Sequence, residues 1–566
     1  MRSMAVLLLL AGVACGFPRP AHLGDDAAPS DSATPDAATT DAAIADAALP
    51  VPDAAPMDFV VTLSTPRVRI VEGASATVGI TIGRNTFMDA VGVTVTGLPP
   101  GVSADPLTIE GETGTLTLHA ATGATQGDAE LAVIAASGSR SHDAPLSLLA
   151  MGLPGTLDRT FAASILATGP VGRGTQVIVL PDGKILTVAA VALTQPTGMR
   201  VARYRSNGSP DPDFSGGTVL VPSGGKSAAI AVQSDGKIIV VGDEPVGGHA
   251  RGLVARLESD GKPDNSFGVT GRTHLNLADA DDIAATSISS VALQRDGGIV
   301  VVGNAEVRGG QDVAGYAAVV ARLTPSGALD PTFGTLGIAR SRMGGAIASF
   351  NKLAITADGR IVTLGSAQNN STSSATFARF TTVGQPDSSF SGDGFLLMNG
   401  LLTDDYKFTS GVGAALAIQS DGKIVAVGAS GPAPSGSLYH STLMRLNGGD
   451  GSPDGSLGAN GTKVVALGSN DHADGLLIQP DGKLVVAGQI PANGSLGASV
   501  ARFTTDALLD LGFGGGVSTP IVGGGGNFRA AALDTDGRIL VTGDFLEVDE
   551  GGNYAAEHYI FARLWP

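Results

Sequence analysis

Seven arginines recur in one setting, each preceded by Ala or, once, Met within a short apolar string: Arg203, Arg256, Arg322, Arg379, Arg445, Arg502 and Arg563. A guanidinium offers a planar fork of donors suited to carboxylates, phosphates or backbone carbonyls. Strict repetition points to one structural job done seven times, with each fork holding a turn Asp or a carbonyl and fixing one hairpin to the next. The same holds for seven Asp-Gly pairs beginning at Asp182, Asp235, Asp296, Asp358, Asp421, Asp481 and Asp536. Asp534-x-Asp536-Gly537 echoes a calcium loop, but the remaining ligands and the distal Glu are missing, so a turn is the better reading.

Residues outside this repetition are the better candidates for recognition. Acidic groups gather at Asp279, Asp281 and Asp282, at Asp404, Asp405, Tyr406 and Lys407, at Asp471, His472 and Asp474, and at Glu547, Asp549 and Glu550. Such a rim would take a divalent cation or a basic partner; ordinary solvated loop polarity is the competing reading. No metal ligand set can be assigned and no cofactor is implied. The eight histidines are scattered, and none sits in a nucleophile, zincin or phosphate-loop setting. The Gly-rich string at 523–527 lacks the strand–turn–helix context of a nucleotide loop. We therefore expect no enzyme. A hydrolase or lyase with its site at a central channel is the alternative, and a purely structural envelope component a further one.

Composition bounds the partners. The 566 residues include 81 Gly, only 4% aromatics, and a net charge of −18. That charge repels phosphate backbones, so nucleic acid is excluded. The single cysteine, Cys15, rules out a disulfide framework within one chain. It follows Arg2 and the apolar run 5–14, whose ten residues span about 15 Å as a helix, half of a bilayer core. Residues 1–15 thus read as an export signal. Gly12-Val13-Ala14-Cys15 resembles the bacterial lipobox, with Gly12 where Leu is usual. The resemblance implies lipidation of Cys15, and Gly16 after it, in place of Asp, implies the outer membrane or cell surface. The membrane would be engaged only through the lipid anchor. Residues 16–57 read as a disordered tether rich in Ala, Asp and Pro; Asp31, Asp36, Asp41 and Asp46 recur every five residues, a period that matches neither helix nor strand.

Two all-β regions follow. Residues 58–151 carry seven short β-branched runs with turn signals between them, the pattern of a sandwich. The phrases EGASATVGITI and VTGLPPGVSA resemble bacterial immunoglobulin-like surface domains. From 155 to 566 an apolar run, Asp-Gly and a second apolar run recur seven times, 53 to 63 residues apart. Asp-Gly between apolar runs predicts a hairpin with a type I′ turn, in which both central residues have φ > 0. The Arg strand comes next, then an Asp/Phe turn with Phe161, Phe214, Phe267, Phe333, Phe390 and Phe513, or Leu457 in one copy, and then a fourth strand. The set resembles the delta-60 repeat family of bacterial surface and secreted proteins, which implies a propeller-like fold and no common activity.

Four strands in each of seven units predict a seven-bladed β-propeller. The chain enters on Asp158, Phe161 and a fourth-strand segment, and leaves after a third strand, so its start should complete the last blade. The distance from Arg to the Phe slot is 11 residues in five of six copies, whereas Asp-Gly to Arg varies from 21 to 27 and Arg to the next Asp-Gly from 32 to 42. One end of the blades is therefore constant and the other variable. Variable loops on a rigid scaffold are where recognition is usually built. The expected protein is a monomeric envelope lipoprotein whose propeller binds a protein or glycan at the cell surface.

Overall fold

The computed structural model describes residues 58–161, 172–191, 197–224, 228–246, 249–277, 285–307, 315–341, 347–369, 372–398, 406–432, 440–465, 467–468, 471–492, 495–520, 526–548 and 554–566. The signal, Cys15 and the tether lie outside these residues. Among the described residues there is no α-helix; strands and three short 3₁₀ turns make up the regular structure.

Residues 58–151 form two facing sheets. One orders Asp58–Leu63, Ser75–Asn85, Thr113–Ala120 and Val102–Ala104; the other orders Arg67–Val71, Arg140–Met151, Gly127–Ser137, Val91–Thr96 and Leu107–Ile109. Alternation decides which face is buried: Val91 and Val93, and Leu116 and Leu118, point inward to one core shared with Phe59, Ile80, Val133 and Leu146. Two short strands, 102–104 and 107–109, bring the count to nine where the sequence pattern shows seven runs. Both are three residues long, too short to display alternation.

The remaining residues form repeat sheets, each with its strands (a to d) in sequential antiparallel order. Their first strands are Arg173–Val179, Ala228–Val232, Thr286–Leu293, Ile347–Ile355, Tyr406–Ile418, His472–Ile478 and Asn527–Leu533. Each first strand lies against the first strand of the next repeat, and the seventh lies against the first. Second strands are sandwiched between neighbouring sheets, so both their faces are apolar: Ile185–Val191 is buried at every residue. That is why these strands read as unbroken apolar runs rather than alternating ones. The last sheet has three strands among the described residues, and Leu157 bridges to Leu564 at its edge. Phe161, Val177, Ile185 and Tyr204 from the start of this region share one cluster with Leu540, Tyr559 and Phe561 from its end.

The Asp-Gly turns depart from the expected type. Gly183, Gly236, Gly297, Gly359, Gly422, Gly482 and Gly537 have φ between +79° and +86°, but the Asp before each does not have positive φ. Gly183 N–H donates to Leu180 O and Leu180 N–H to Lys184 O, closing a three-residue loop. This is a type I turn followed by a left-handed Gly, not type I′. The Asp carboxylate accepts the N–H two residues on, as Asp182 does from Lys184 (3.1 Å). That bond favours a right-handed Asp.

Candidate functional site

At the end of the sheets that carries the a–b and c–d turns, the repeated residues form a clamp. Arg203 Nε donates to Asp211 Oδ2 (2.7 Å), the Asp of its own c–d turn, and its fork reaches Ser259 O in the next repeat. Arg256 does the same to Asp264 (2.6 Å) and Pro325 O, and Arg445 to Asp454 (2.7 Å) and Thr505 O (2.7 Å). The residue after Asp-Gly joins the same carboxylate: Lys237 Nζ lies 2.7 Å from Asp264, Lys423 3.0 Å from Asp454 and Lys483 3.1 Å from Asp510. Beneath each guanidinium lies the Phe, with Arg256 4.7 Å above the Phe267 ring and Arg502 4.6 Å above Phe513. Each Phe ring then meets a turn Gly of the following repeat: a Cβ on Gly261 would stand 3.0 Å from Phe214, and one on Gly327 2.9 Å from Phe267. Carboxylate, guanidinium, ring and glycine together make one inter-repeat joint.

Burial of these carboxylates would raise their pKa values, but the hydrogen bonds outweigh it. Asp211, Asp264, Asp387, Asp454 and Asp510 are all held below the usual carboxylate range, chiefly by Lys184 in the first case, Lys237 in the second and Ser389 in the third. For Asp330 the largest cause is the hydrogen bond from the Thr332 side chain.

The last junction uses the same parts taken from the two ends of the region. Arg563 Nε donates to Asp158 Oδ2 (2.8 Å), its fork reaches Ser206 O (2.7 Å) in the first repeat, and its guanidinium lies 4.4 Å above Phe161. The Phe161 ring meets Gly208 of the first repeat. Residues 158–161 therefore supply the Asp/Phe turn that follows each of the other arginines directly in sequence.

The expected rim residues divide three ways. Asp279, Asp281, Asp282, Asp404, Asp405, Asp549 and Glu550 lie outside the described residues. Tyr406, Lys407 and Glu547 sit on strands, Tyr406–Ile418 and Ile539–Val548, with their side chains outside the description. The third group is placed fully. Asp471 is buried, accepting His440 Nδ1 (2.9 Å) and Ser441 N–H (2.8 Å). Ten residues before Asp-Gly in the third repeat, Thr286 likewise accepts Gly252 N–H (2.9 Å), so Asp471 ties a first strand to the preceding sheet. His472 opens the first strand beside it, and Asp474 lies within that strand rather than in a loop. Among the described residues no three His, Cys, Asp or Glu side chains gather as a metal site.

Asp474 occupies a recurring irregularity. The first strands bulge at Thr175, Ser289, Asn351, Asp474 and Arg529, each seven residues before its Asp. The partner strand makes room with glycine: a Cβ on Gly303, Gly365, Gly488 or Gly543 would fall 1.8–1.9 Å from the carbonyl that the bulge turns toward it. Bulges re-aim side chains, and here the repeats differ in what they aim. Asp474 Oδ2 accepts from Asn527 Nδ2 (2.5 Å) and lies 3.8 Å from Arg529 Nη1. Arg529 also pairs with buried Asp544. Lys352, beside the bulge of the fourth repeat, shares its electrostatic environment with Asp474 and Arg529 of the sixth and seventh. Burial pushes its pKa below the usual ammonium value, Asp474 opposes that shift, and Arg529 adds to it. Lys352, Arg529, Asp544 and His440 were not singled out by the sequence pattern; aligning the repeats on Asp-Gly and reading seven residues back would have found Arg529.

Six segments match the family described as a domain of unknown function (DUF5122) beta-propeller: 180–214, 233–267, 294–333, 356–390, 419–456 and 479–513. Each runs from the a–b turn into the c–d turn, so the chain carries β-propeller repeats. The seventh unit, divided between residues 158–161 and the C-terminal strands, is not among the matches. Among solved structures, a quinonprotein alcohol dehydrogenase-like protein from Bacteroides thetaiotaomicron is 10% identical, with 78% of this chain and 92% of that chain covered and a TM-score of 0.34. The titin domains I67–I69 are 11% identical over 58% of this chain and 96% of that chain, at a TM-score of 0.16. An ICAM-5 D1–D4 ectodomain fragment is 10% identical over 69% and 99%, at 0.14. TM-scores of this size do not establish a shared fold. No curated protein matches the chain.

Proposed function

We propose that the chain is a monomeric cell-envelope lipoprotein in which an immunoglobulin-like sandwich carries a closed seven-bladed propeller, used as a non-enzymatic binding scaffold for a surface protein or glycan. Ring closure is supported by the packing of the seventh first strand on the first, and by the Arg563–Asp158 joint.

The observation that carries the binding reading is the placement of the sandwich. Arg67 and Arg69 reach Asp536, an a–b turn residue, at 3.0 and 3.4 Å, and Trp565 Nε1 donates to Gln126 Oε1 (3.1 Å). The sandwich thus docks at the constant end of the repeats. Residue 58, where the tether joins, is held at the other end of the sandwich, its carboxylate 2.8 Å from His142 Nε2. Strand Arg140–Met151 runs from that point to the junction, and its nine steps from His142 cover about 30 Å. On this reading the sandwich is a spacer between residue 58 and the constant end of the repeats.

The test replaces segments 399–405 and 433–439 with short Gly-Ser turns in the full chain and measures co-sedimentation with envelope fractions. Loss of binding in a variant that melts normally supports the reading; undiminished binding overturns it. Mass spectrometry of the mature N-terminus decides the anchor, since an unmodified Cys15 removes it.

A further inference from the structure

We propose that the seam between the first and seventh sheets holds a site for a single small anion, chloride, between the Tyr559, Tyr204 and Thr187 hydroxyls and the Arg200 guanidinium. The inference rests on the ring closure of the preceding section but not on its anchor or its loops.

The residues of this seam depart from the repetition together. Four places before the recurring Arg stand Met199, Gly252, Ala318, Ala375, Ser441 and Ala498, but Tyr559 in the seventh repeat. Three places before it six repeats carry uncharged residues, Leu253 and Ile560 among them, and the first carries Arg200. The residue after it is Leu or Phe in six repeats and Tyr204 in the first. Alternation sets Met199 and Val201 against the second sheet and so turns Arg200, Ala202 and Tyr204 toward the seventh. Tyr559 comes from the other side, in one cluster with Tyr204. The Phe561 ring centroid lies 5.1 Å from that of Tyr204 and 6.4 Å from that of Tyr559. Gly174 admits the large ring, since a Cβ there would stand 2.8 Å from it.

These side chains enclose a space. Thr187, Ala189, Arg200, Ala202, Tyr204 and Tyr559 line a cavity of about 10 Å³, room for one small particle. Tyr559 is 3% exposed, and its hydroxyl has no hydrogen-bond partner. A buried hydroxyl left in that state is costly, so an occupant that bonds it is favoured. The lining suits an anion better than water. A guanidinium only donates, and burial pushes both phenols above their usual pKa, so they stay protonated donors at neutral pH. Among the described residues no carboxylate or histidine lines the cavity, either to accept from a water or to repel an anion. Chloride accepts from hydroxyl and guanidinium alike and offsets the charge of half-buried Arg200.

The test uses the full chain in sodium gluconate, with chloride exchanged in at constant ionic strength and binding read from the chlorine-35 NMR line width. Saturable broadening is expected, and crystals grown in bromide should show one anomalous scatterer against Tyr559. Tyr559→Phe removes the unpartnered hydroxyl, and Arg200→Leu installs the side chain that Leu253 carries in the second repeat. Each should weaken chloride binding at least about ten-fold. Tyr204→Phe, a ring that Phe380 and Phe503 already place at this position, serves as the second variant should either of these fail to fold. Line widths without saturable broadening, as when water alone fills the cavity, overturn the proposal, and so does native chloride binding by Tyr559→Phe or Arg200→Leu. The loop-replaced chain separates the two readings: lost envelope binding with intact chloride binding leaves this site standing, and the reverse removes it alone.

Discussion

The two ends of a repeat strand obey different rules. At the Asp-Gly end, near-identical residues make near-identical contacts, and the pairs Arg256–Asp264 and Arg445–Asp454 agree to within 0.1 Å. At the bulged end the backbone repeats while the side chains do not, passing through Thr175, Ser289, Asn351, Asp474 and Arg529. Four of these bulges stand opposite a glycine and the first opposite Ala189, so different side chains are placed there on the same backbone. Constant contacts and variable side chains thereby occupy opposite ends of the same strand.

The sharpest way to break this division is at the closing joint. Asp158→Ala would remove one of the two carboxylates that Arg563 and Arg538, both nearly buried, share, leaving them Asp534. Losing a buried charge-assisted hydrogen bond of this kind costs about 1.5–3 kcal/mol. Urea titration followed by fluorescence of Trp565, the chain's sole tryptophan, would report it. Arg67→Ala, which breaks half-exposed contacts at the sandwich, should cost less than about 1 kcal/mol. Equal effects would mean the ends are not specially joined. Phe267→Ala, emptying a fully buried slot under Arg256, should cost about 3–5 kcal/mol by the same assay.

Acid should act on the clamped end of the repeats. Asp211, Asp264, Asp330, Asp387, Asp454 and Asp510 have folded pKa values below those of the unfolded chain. Their contribution is complete above the ordinary carboxylate pKa of about 3.9 and disappears as pH falls through the lower folded values. A pH titration of Trp565 fluorescence should therefore be flat from neutrality to the ordinary carboxylate range and fall below it. A loss of signal near pH 6 would place the weak point elsewhere.

Glycines sharpen the comparison further. Gly543→Ala puts a methyl 1.8 Å from Asn527 O and should cost about 1–3 kcal/mol. Because it displaces the bulge that carries Arg529, it should also disturb the Arg529–Asp544 pair. Gly537→Ala meets open space but keeps φ at +82°, so about 1–2 kcal/mol is expected. Thermal melts of the two variants measure both costs.

Much of the constant end was legible in the sequence because its contacts are sequence-local and recur: Arg203 and Asp211 stand eight residues apart, and so do Arg256 and Asp264. The turn type was misjudged because the Asp side chain caps the loop, and that bond favours one positive φ rather than two. The bulged end was not legible for the opposite reason. Asp474 and Arg529 meet only across two sheets, and the position they share carries neutral residues in the first five repeats. Asp474 was assigned to a loop because the bulge interrupts the apolar alternation that marks a strand.

The third repeat offers the finest test of how far the constant end tolerates change. Gly298 stands where Lys or Arg follows Asp-Gly in the other six copies. Arg322 has turned into the vacated space, pairing with Asp296, and its Nε lies 3.2 Å from Asp330 without a hydrogen bond. A Cβ on Gly298 would stand 2.5 Å from that Nε, the movable end of a long side chain. Gly298→Lys should return Arg322 to Asp330 and supply the missing ammonium. Gly outside the left-handed region is entropically unfavourable, and an exposed ion pair adds little, so a gain of about 0.5–1 kcal/mol is expected. Salt should shrink the electrostatic part of that gain and leave the backbone part, which a Gly298→Ala control measures alone. If Lys were destabilising while Ala was not, the Arg322–Asp296 pair would be a joint in its own right, and the clamp would have two forms rather than one.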